Sequence, residues 1–253
     1  MKVSKHYFNW ADPDSQLIFQ EETQNFSIEE RFNIQADNLI HHFQLSADEM
    51  ILDYGCGVGK HAICLKKKGY NVVGYDISEH YIKKAKAIMA HEGISLEFHH
   101  SNTFFHSFYG RFDFIYTIDF PFYYLDEGKI ESFLSEIERL LAKNGRFLFG
   151  FPYSRENREQ FLPKNRWSKE KNCFRLSDEK IDENGKRTEH YIIIDTKNDT
   201  LEEWIDQTQY YYVQEIKEFL NRSGFIITGE FENLKKKLPD DATKVHFLLC
   251  ERS

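Results

Sequence analysis

The fold of this chain is decided by the stretch Ile51-Leu52-Asp53-Tyr54-Gly55-Cys56-Gly57-Val58-Gly59-Lys60-His61. A short apolar run leads into three glycines at alternate positions, and a helical pattern begins directly after them. Glycine lets the backbone approach a ligand closely, while the amino end of a helix offers free N–H groups and the positive end of its dipole. The stretch therefore predicts a strand, a cofactor-binding loop and a helix.

Two common phosphate-binding loops do not fit these residues. The dinucleotide fingerprint G-x-G-x-x-G needs its third glycine one position later than Gly59. The P-loop G-x-x-x-x-G-K-[ST] needs its first glycine one residue further from Gly59 than Gly55 lies, and it needs Ser or Thr where this chain has His61. The pattern that fits is D/E-x-G-x-G-x-G, with Asp53 as its acidic residue.

The segments around the loop alternate between strand-like and helix-like patterns, which indicates a parallel sheet with crossover helices. Ser78 is a predicted N-cap, Gly69 and Gly93 are predicted helix ends, and Asn144-Gly145 is a predicted turn. We predict strands at 50–54, 71–75, 96–99, 112–118 and 146–151, and helices at 60–68, 78–91 and 129–141. The predicted fold class is α/β, with a doubly wound, Rossmann-like sheet.

Two regions interrupt this alternation. Residues 1–49 hold an aromatic-rich arm and an amphipathic helix at about 27–43, and residues 152–212 read as a small antiparallel β insertion. The predicted insertion strands are 173–181, 187–196 and 200–212; a helix at 213–223 and strands at 225–231 and 244–250 follow. The main domain is therefore predicted to comprise 50–151 and 213–253.

Composition excludes several classes of protein. The 253 residues include 33 Lys and Arg against 41 Asp and Glu, a net charge of −8, which disfavours binding to nucleic acid through phosphate contacts. The sequence contains no run of 18 apolar residues, so we expect no membrane span. No apolar segment follows the early lysines, so we expect no secretory signal. Aromatic residues are unusually common, at 16%.

The cysteines indicate neither a zinc site nor a redox motif, because no two of them form a C-x-x-C pair. Their scatter fits a reduced cytoplasm, and we expect a cytoplasmic protein without a bound metal. A nucleophilic Cys56 is the weaker reading of a residue whose small side chain suits a glycine loop.

The glycine loop resembles motif I of class I S-adenosylmethionine-dependent methyltransferases, and the resemblance covers about four-fifths of the chain in the right order. Besides the loop, the matching segments are Val72-Val73-Gly74-Tyr75-Asp76-Ile77-Ser78, Phe112-Asp113-Phe114-Ile115-Tyr116, Leu140-Leu141-Ala142-Lys143-Asn144-Gly145-Arg146-Phe147, Tyr211-Tyr212-Val213-Gln214-Glu215-Ile216 and Ser223-Gly224-Phe225. The resemblance implies a seven-stranded sheet with its last strand antiparallel, and S-adenosyl-L-methionine as cofactor.

The resemblance also implies cofactor-binding residues. Asp76 would hold the ribose hydroxyls, although it could merely cap the following helix; Asp53 would brace the loop through backbone N–H groups or reach the ammonium of the methionine moiety. Asn102 stands where relatives have Asp near the adenine. Arg31, which lies 24 positions before Gly55, would pair with the cofactor carboxylate unless it only forms an ion pair with Glu29 or Glu30. The full predicted set is Arg31, Asp53, Gly55, Cys56, Gly57, Gly59, His61, Asp76, Ile77, Asn102, Thr103, Asp119 and Phe120.

The acceptor side is less defined. The stretch 119–122 looks like the D-P-P-Y of amino-methylating nucleic-acid enzymes, but its first proline is absent, and 120–124 is closer to small-molecule enzymes. Asp113, at the far end of its strand, is predicted to be structural. Predicted acceptor-binding residues are Tyr7, Trp10, Phe122, Tyr123, Tyr124 and Tyr153; candidates for a general base are Tyr7, Tyr123, Tyr153 and Tyr211.

The sequence thus predicts a methyltransferase that acts on a small-molecule acceptor, which the aromatic residues suggest is apolar or planar. The atom methylated is open, and catalysis would be mainly by positioning. The alternatives are a methyltransferase acting on RNA or protein and, as the weakest, an inactive relative. The arm at 1–49 would act as a lid, and the insertion would be an acceptor cap or the surface of a homodimer.

Overall fold

The computed structural model describes residues 2–7, 30–100, 102–118, 122–151, 154–155, 166–232 and 246–252. The strands are β1 (Lys2–Tyr7), β2 (Met50–Tyr54), β3 (Asn71–Tyr75), β4 (Glu97–His99), β5 (Phe112–Thr117), β6 (Leu141–Phe151), β7 (Arg166–Glu170), β8 (Cys173–Ile181), β9 (Lys186–Asp195), β10 (Thr200–Gln209), β11 (Phe225–Glu232) and β12 (His246–Arg252). The helices are α1 (Glu30–Phe43), α2 (Lys60–Lys67), α3 (Glu79–His91), α4 (Glu127–Leu140) and α5 (Val213–Arg222), and short 3₁₀ turns cover Asn102–Ser107 and Phe122–Tyr124.

The main sheet has seven strands in the order β11-β12-β6-β5-β2-β3-β4. Strands β2 to β6 pair in parallel, whereas β12 pairs antiparallel with both β6 and β11. The predicted doubly wound sheet with an antiparallel last strand is therefore confirmed. The order reverses between β2 and β5, and open α/β sheets bind their ligands at such a switch point, beyond the carboxyl ends of the strands.

Both faces of the main sheet are buried, which explains the nearly continuous apolar runs in its strands. Successive side chains alternate between faces: Leu52 and Ile115 pack on the side of α4 and α5, while Ile51 and Phe114 pack on the side of α1, α2 and α3. Much of the aromatic surplus is used here, since many Phe and Tyr side chains fill these two core layers.

Helix boundaries follow local capping. The Ser78 hydroxyl accepts a hydrogen bond from the Tyr81 N–H at 3.1 Å, which confirms the predicted N-cap of α3. The α4 helix begins earlier than predicted because Asp126 caps it by accepting from the Lys129 N–H at 3.0 Å. The predicted turn at Asn144-Gly145 is wrong in one respect: β6 already begins at Leu141 and runs through these residues.

A second sheet has five strands in the order β1-β10-β9-β8-β7. Its strands β7 to β10 are antiparallel, as predicted for the insertion, although β7 was not anticipated. The other unanticipated strand is β1, which comes from the N-terminal arm and pairs in parallel with β10. The arm and the insertion therefore share one sheet.

Among the described residues, no helix combines the length and the apolar character that a membrane span requires.

Candidate active site

The glycine loop after β2 is held against the end of β3. The N–H groups of Gly55 and Cys56 both donate to the Tyr75 carbonyl, at 2.8 and 2.9 Å, and the Gly59 N–H donates to the Cys56 carbonyl at 2.8 Å. Gly55, Gly57 and Gly59 all have positive φ, at 79°, 54° and 75°. Only glycine adopts this conformation readily, so the alternate spacing of the three glycines is a backbone requirement.

The second and third glycines of the loop, Gly57 and Gly59, have different surroundings. A Cβ atom built on Gly59 would lie 2.6 Å from Phe98 Cε1 and 3.2 Å from Ala85 Cβ, so this glycine lets α2 pack onto the core. A Cβ atom built on Gly57 would meet no atom of the described residues within 4 Å. The loop is therefore packed from beneath and open above Gly57, which is the cradle that a close-lying cofactor needs.

Asp76 joins the loop to the end of β3. Its Oδ2 accepts from the Gly57 N–H at 2.8 Å, and its Oδ1 accepts from the Ser78 N–H at 2.9 Å. Burial raises the pKa of Asp76 to about 6, against the lowering effect of these two N–H groups. A carboxylate has about four acceptor positions, so Asp76 can bind the loop and still accept from two hydroxyl groups.

Asp53 lies at the inner end of the loop and is 3% exposed. Burial raises its pKa to about 7; the Tyr116 hydroxyl and the Ala62 N–H act in the opposite direction, and the charge of Asp76 adds a smaller rise. Its Oδ2 accepts no hydrogen bond from the described residues. A buried acceptor without a partner suits a ligand donor such as an ammonium group. Tyr116, whose buried hydroxyl faces the Asp53 carboxyl, was missed by the sequence reasoning because it looks like an ordinary core residue.

Cys56 and His61 are both uncharged at neutral pH. Burial, and then the charges of Asp53 and Asp76, raise the pKa of the Cys56 thiol well above its usual range, which argues against a nucleophilic cysteine. Burial, and then the charges of Arg31 and Lys60, lower the pKa of His61 to about 4. His61 Nε2 lies 2.9 Å from Gln35 Oε1, so this nitrogen carries the ring proton in the neutral form.

The first turn of α1 lies against the start of α2. The Arg31 guanidinium is 4.7 Å and the Lys60 ammonium 4.9 Å from the centre of the Phe32 ring, and His61 meets that ring edge-on at 5.0 Å. Arg31 is thus brought to the glycine loop, as its predicted role requires, and that role remains a prediction. Phe32, Gln35 and Lys60 were not predicted as site residues. The position of Lys60 directly after Gly59 was the signal available in the sequence, and the structure shows that this lysine is buried.

Two predicted acceptor-side residues lie in the core. Phe122 is 1% exposed, with its ring centre 5.3 Å from those of Phe149 and Tyr211. The Tyr211 hydroxyl donates to the Leu125 carbonyl at 3.1 Å. Both side chains are engaged in packing, so we do not include them in the proposed acceptor site.

Tyr123 and Tyr124 are half-buried, with ring centres 5.1 Å apart. Burial, and next the charge of Asp206 on β10, raise the pKa of the Tyr124 hydroxyl far above its usual range. The turn that follows β5 therefore faces the second sheet.

The other predictions have mixed outcomes. Asp113 Oδ2 accepts from the Met50 N–H at 2.8 Å, which fits its predicted structural role. Ile77 is 61% exposed beside Asp76. Trp10, Asp119, Phe120 and Tyr153, and the side chains of Tyr7, Asn102 and Thr103, lie outside what the structure describes.

Comparisons with known proteins agree with this geometry. Residues 51–145 match a family model described as a methyltransferase domain. A curated protein of Geobacillus sp. (strain WCH70), named as a methyltransferase, is 34% identical over 100 residues, which cover 39% of this chain and 40% of that protein.

Solved structures extend the likeness over nearly the whole chain. An S-adenosylmethionine-dependent methyltransferase from Clostridium acetobutylicum ATCC 824 has a TM-score of 0.67 at 15% identity, covering 94% of this chain and 95% of that one. The S-adenosylmethionine-bound CalS10 of Micromonospora echinaspora, an amino pentose methyltransferase, has a TM-score of 0.62 at 14% identity, covering 97% and 99%.

The sheet order and the glycine loop thus define a Rossmann-like fold of the methyltransferase class. Within it, the segment 51–145 is similar to a methyltransferase domain in both the family model and the curated relative.

Proposed function

We propose that this protein transfers the methyl group of S-adenosyl-L-methionine to a small-molecule acceptor. The observation that carries the proposal is the loop itself: open space above Gly57, with Asp76 bound to the loop and still able to accept from hydroxyl groups. The unpartnered, buried Asp53 Oδ2 is a second point of fit for the ammonium of the cofactor. The amino pentose methyltransferase named above, of similar fold, is in keeping with a small acceptor.

The roles of the residues follow from their chemistry. Asp76 would hold the ribose, Asp53 the ammonium and Arg31 the carboxylate, with the bidentate fork of a guanidinium suiting the last. When bound, the cofactor would supply a methyl group that the positive charge of its sulfonium activates for transfer to the acceptor. The protein's contribution is to hold the acceptor in line with the bond between that methyl group and the sulfur, which can account for several kcal/mol of the barrier.

The cofactor is tested first, by calorimetry with S-adenosylhomocysteine. Asp76→Ala should weaken binding by about 1–3 kcal/mol. Asp113→Asn removes a carboxylate at the opposite edge of the same sheet, so it serves as the control and should leave the affinity unchanged. Failure of the wild-type protein to bind S-adenosylhomocysteine at millimolar concentration would refute the proposal.

The acceptor class is tested with the methyl-labelled cofactor and a cell extract separated into small molecules, RNA and protein. We expect label in the small-molecule fraction. Label confined to RNA or protein would instead support a macromolecular acceptor, which the net charge of −8 disfavours.

A further inference from the structure

The second sheet holds a row of three carboxylates across three neighbouring strands. Asp206 of β10 lies directly opposite Glu189 of β9, which in turn lies directly opposite Glu179 of β8. Directly opposite residues share one face of a sheet, and like charges placed in this way destabilise it. Asp206 and Glu179 are only 4% and 5% exposed, so water does little to screen this repulsion.

One guanidinium serves all three carboxylates. Arg187 donates through Nε to Glu179 at 2.6 Å, through one terminal nitrogen to Asp206 at 2.8 Å, and through the other to Glu189. The three acids carry two more negative charges than Arg187 can neutralise. Arg175 on the same face of β8, whose guanidinium lies 4.6 Å from the centre of the Tyr191 ring, supplies one further positive charge, so one negative charge is left in excess. Taking such charges out of water costs several kcal/mol for each ion, so the excess calls for a further cation.

One carboxylate oxygen of Asp206, Oδ1, is available to bind that cation. Its Oδ2 binds Arg187, whereas Oδ1 accepts no hydrogen bond from the described part of the chain. The buried hydroxyl of Thr208, two residues further along the same face of β10, also lacks a partner there. Within the described ranges, no group of three His, Cys, Asp or Glu side chains could hold a metal ion. The chemistry therefore favours an organic cation.

Aromatic side chains flank this atom. The next row of the sheet places Trp204 opposite Tyr191, both almost fully buried, and Tyr124 approaches from the turn after β5. Burial and then the charge of Asp206 raise the pKa of both Tyr124 and Tyr191, and the Tyr124 hydroxyl is hydrogen-bonded to the Asp206 carboxylate, which places that carboxylate beside both rings. Aromatic faces together with a carboxylate are the surroundings that an ammonium group prefers.

We propose that Asp206, with Tyr124 and Tyr191, forms a subsite that binds a protonated amine of the acceptor. The subsite lies on the second sheet, where that sheet meets the turn after β5, and β5 is the strand beside the switch point of the main sheet. This inference rests on the proposed function, because it names the chemical class of that acceptor. It changes the expected acceptor from an apolar or planar molecule to a molecule that carries a positively charged amine on an aromatic or aliphatic group.

The test uses matched amines and alcohols as probes: benzylamine with benzyl alcohol, 2-phenylethylamine with 2-phenylethanol, and cyclohexylamine with cyclohexanol. Binding to the full-length protein saturated with S-adenosylhomocysteine is measured by ligand-observed NMR titration at pH 7. We expect the amine of at least one pair to bind at least tenfold more tightly than its alcohol, and Asp206→Asn to abolish that preference. Asp178→Asn, which removes an exposed carboxylate on the opposite face of β8, should leave it intact.

The outcomes separate the two proposals. Protein that binds S-adenosylhomocysteine but shows no amine preference in any pair overturns the subsite and leaves the proposed function standing. An amine preference that persists in Asp206→Asn also overturns it. Absence of the preference in the wild-type protein overturns the subsite without any variant. If Asp206→Asn fails to fold, Tyr124→Ala takes its place and should also lose the preference.

Discussion

Replacing Gly59 by alanine should destabilise the protein more than the same replacement at Gly57, two residues earlier in the same loop. Both residues have positive φ, so each alanine costs about 1–2 kcal/mol in backbone strain. At Gly59 the new methyl group also runs into the buried Phe98 ring and approaches Ala85. Inserting a methyl group into a packed core costs a further ~1–3 kcal/mol.

The effect on the cofactor should run the other way. The methyl group of Gly57→Ala would stand in the open space above the loop, where the cofactor is proposed to bind. We therefore expect at least a tenfold loss of S-adenosylhomocysteine affinity, equal to about 1.4 kcal/mol, for Gly57→Ala. The folded fraction of Gly59→Ala should keep more of its affinity, because its added methyl group points into the core.

Two measurements on each variant test this reasoning: urea unfolding for stability and calorimetry with S-adenosylhomocysteine for affinity. The stabilities of the two variants should differ by about 1–3 kcal/mol, with Gly59→Ala the less stable. Unfolding free energies within about 0.5 kcal/mol of each other, or a larger loss of affinity at Gly59, would refute the assignment of one glycine to packing and the other to the cofactor.

Three further predictions concern charged groups. Asp53→Asn should reduce the pH dependence of the stability of the cofactor-free protein. The pKa of Asp53 in the folded state, about 7, exceeds the ordinary value of 3.8, so between these values the folded state holds a proton that the unfolded state lacks. Urea unfolding should therefore show the stability of the wild-type protein falling from about pH 4 to pH 7. The fall attributable to Asp53 is at most about 4 kcal/mol, and a smaller slope from Asp76 should persist in the variant. Arg31→Met should weaken S-adenosylhomocysteine binding at least tenfold by calorimetry, yet leave 5′-methylthioadenosine binding unchanged, because that compound lacks the carboxylate. Arg187→Met should destabilise the protein by about 3–5 kcal/mol in urea unfolding, since it leaves three carboxylates uncompensated, whereas Arg222→Met, which breaks an exposed ion pair, should cost less than about 1 kcal/mol.

Each of these has a contrary result. A wild-type stability that is flat between pH 4 and pH 7 would mean that the Asp53 carboxyl is solvated. Equal weakening of both ligands by Arg31→Met would assign Arg31 to packing alone. Losses of stability that match for Arg187→Met and Arg222→Met would contradict the charge balance of the carboxylate row.

Most of the main sheet could be predicted from the sequence because its signals are local. A short apolar run indicates a buried parallel strand, and apolar periodicity with capping residues indicates a helix. The glycines of the loop indicate a backbone conformation that few other residues adopt. The errors in the main sheet were shifts of a few residues at element ends, as at Asp126, where a capping side chain set the boundary.

The residues that the sequence assigns to the candidate cofactor site lie close together in the fold, for the same reason. Gly55, Gly57, Asp53 and Asp76 lie at consecutive strand ends, and parallel strands bring their carboxyl ends to one edge of the sheet. What the sequence could not supply was the partner of each group. Nothing near Gly59 in the chain indicates that Phe98 lies beneath it, because that contact joins segments from different strands.

The second sheet shows what only the tertiary structure decided. The alternation of β8, β9 and β10 indicated strands, but the alignment of three acids in one row depends on register, and a shift of one residue would send alternate side chains to the other face. The parallel pairing of β1 with β10 joins residues about 200 positions apart and leaves no local trace. The sequence by itself therefore determined the class of fold and the cofactor loop, because the patterns that indicate both lie in residues that are close together in the chain. The surroundings of the proposed acceptor subsite depend on long-range pairing, which only the folded chain establishes.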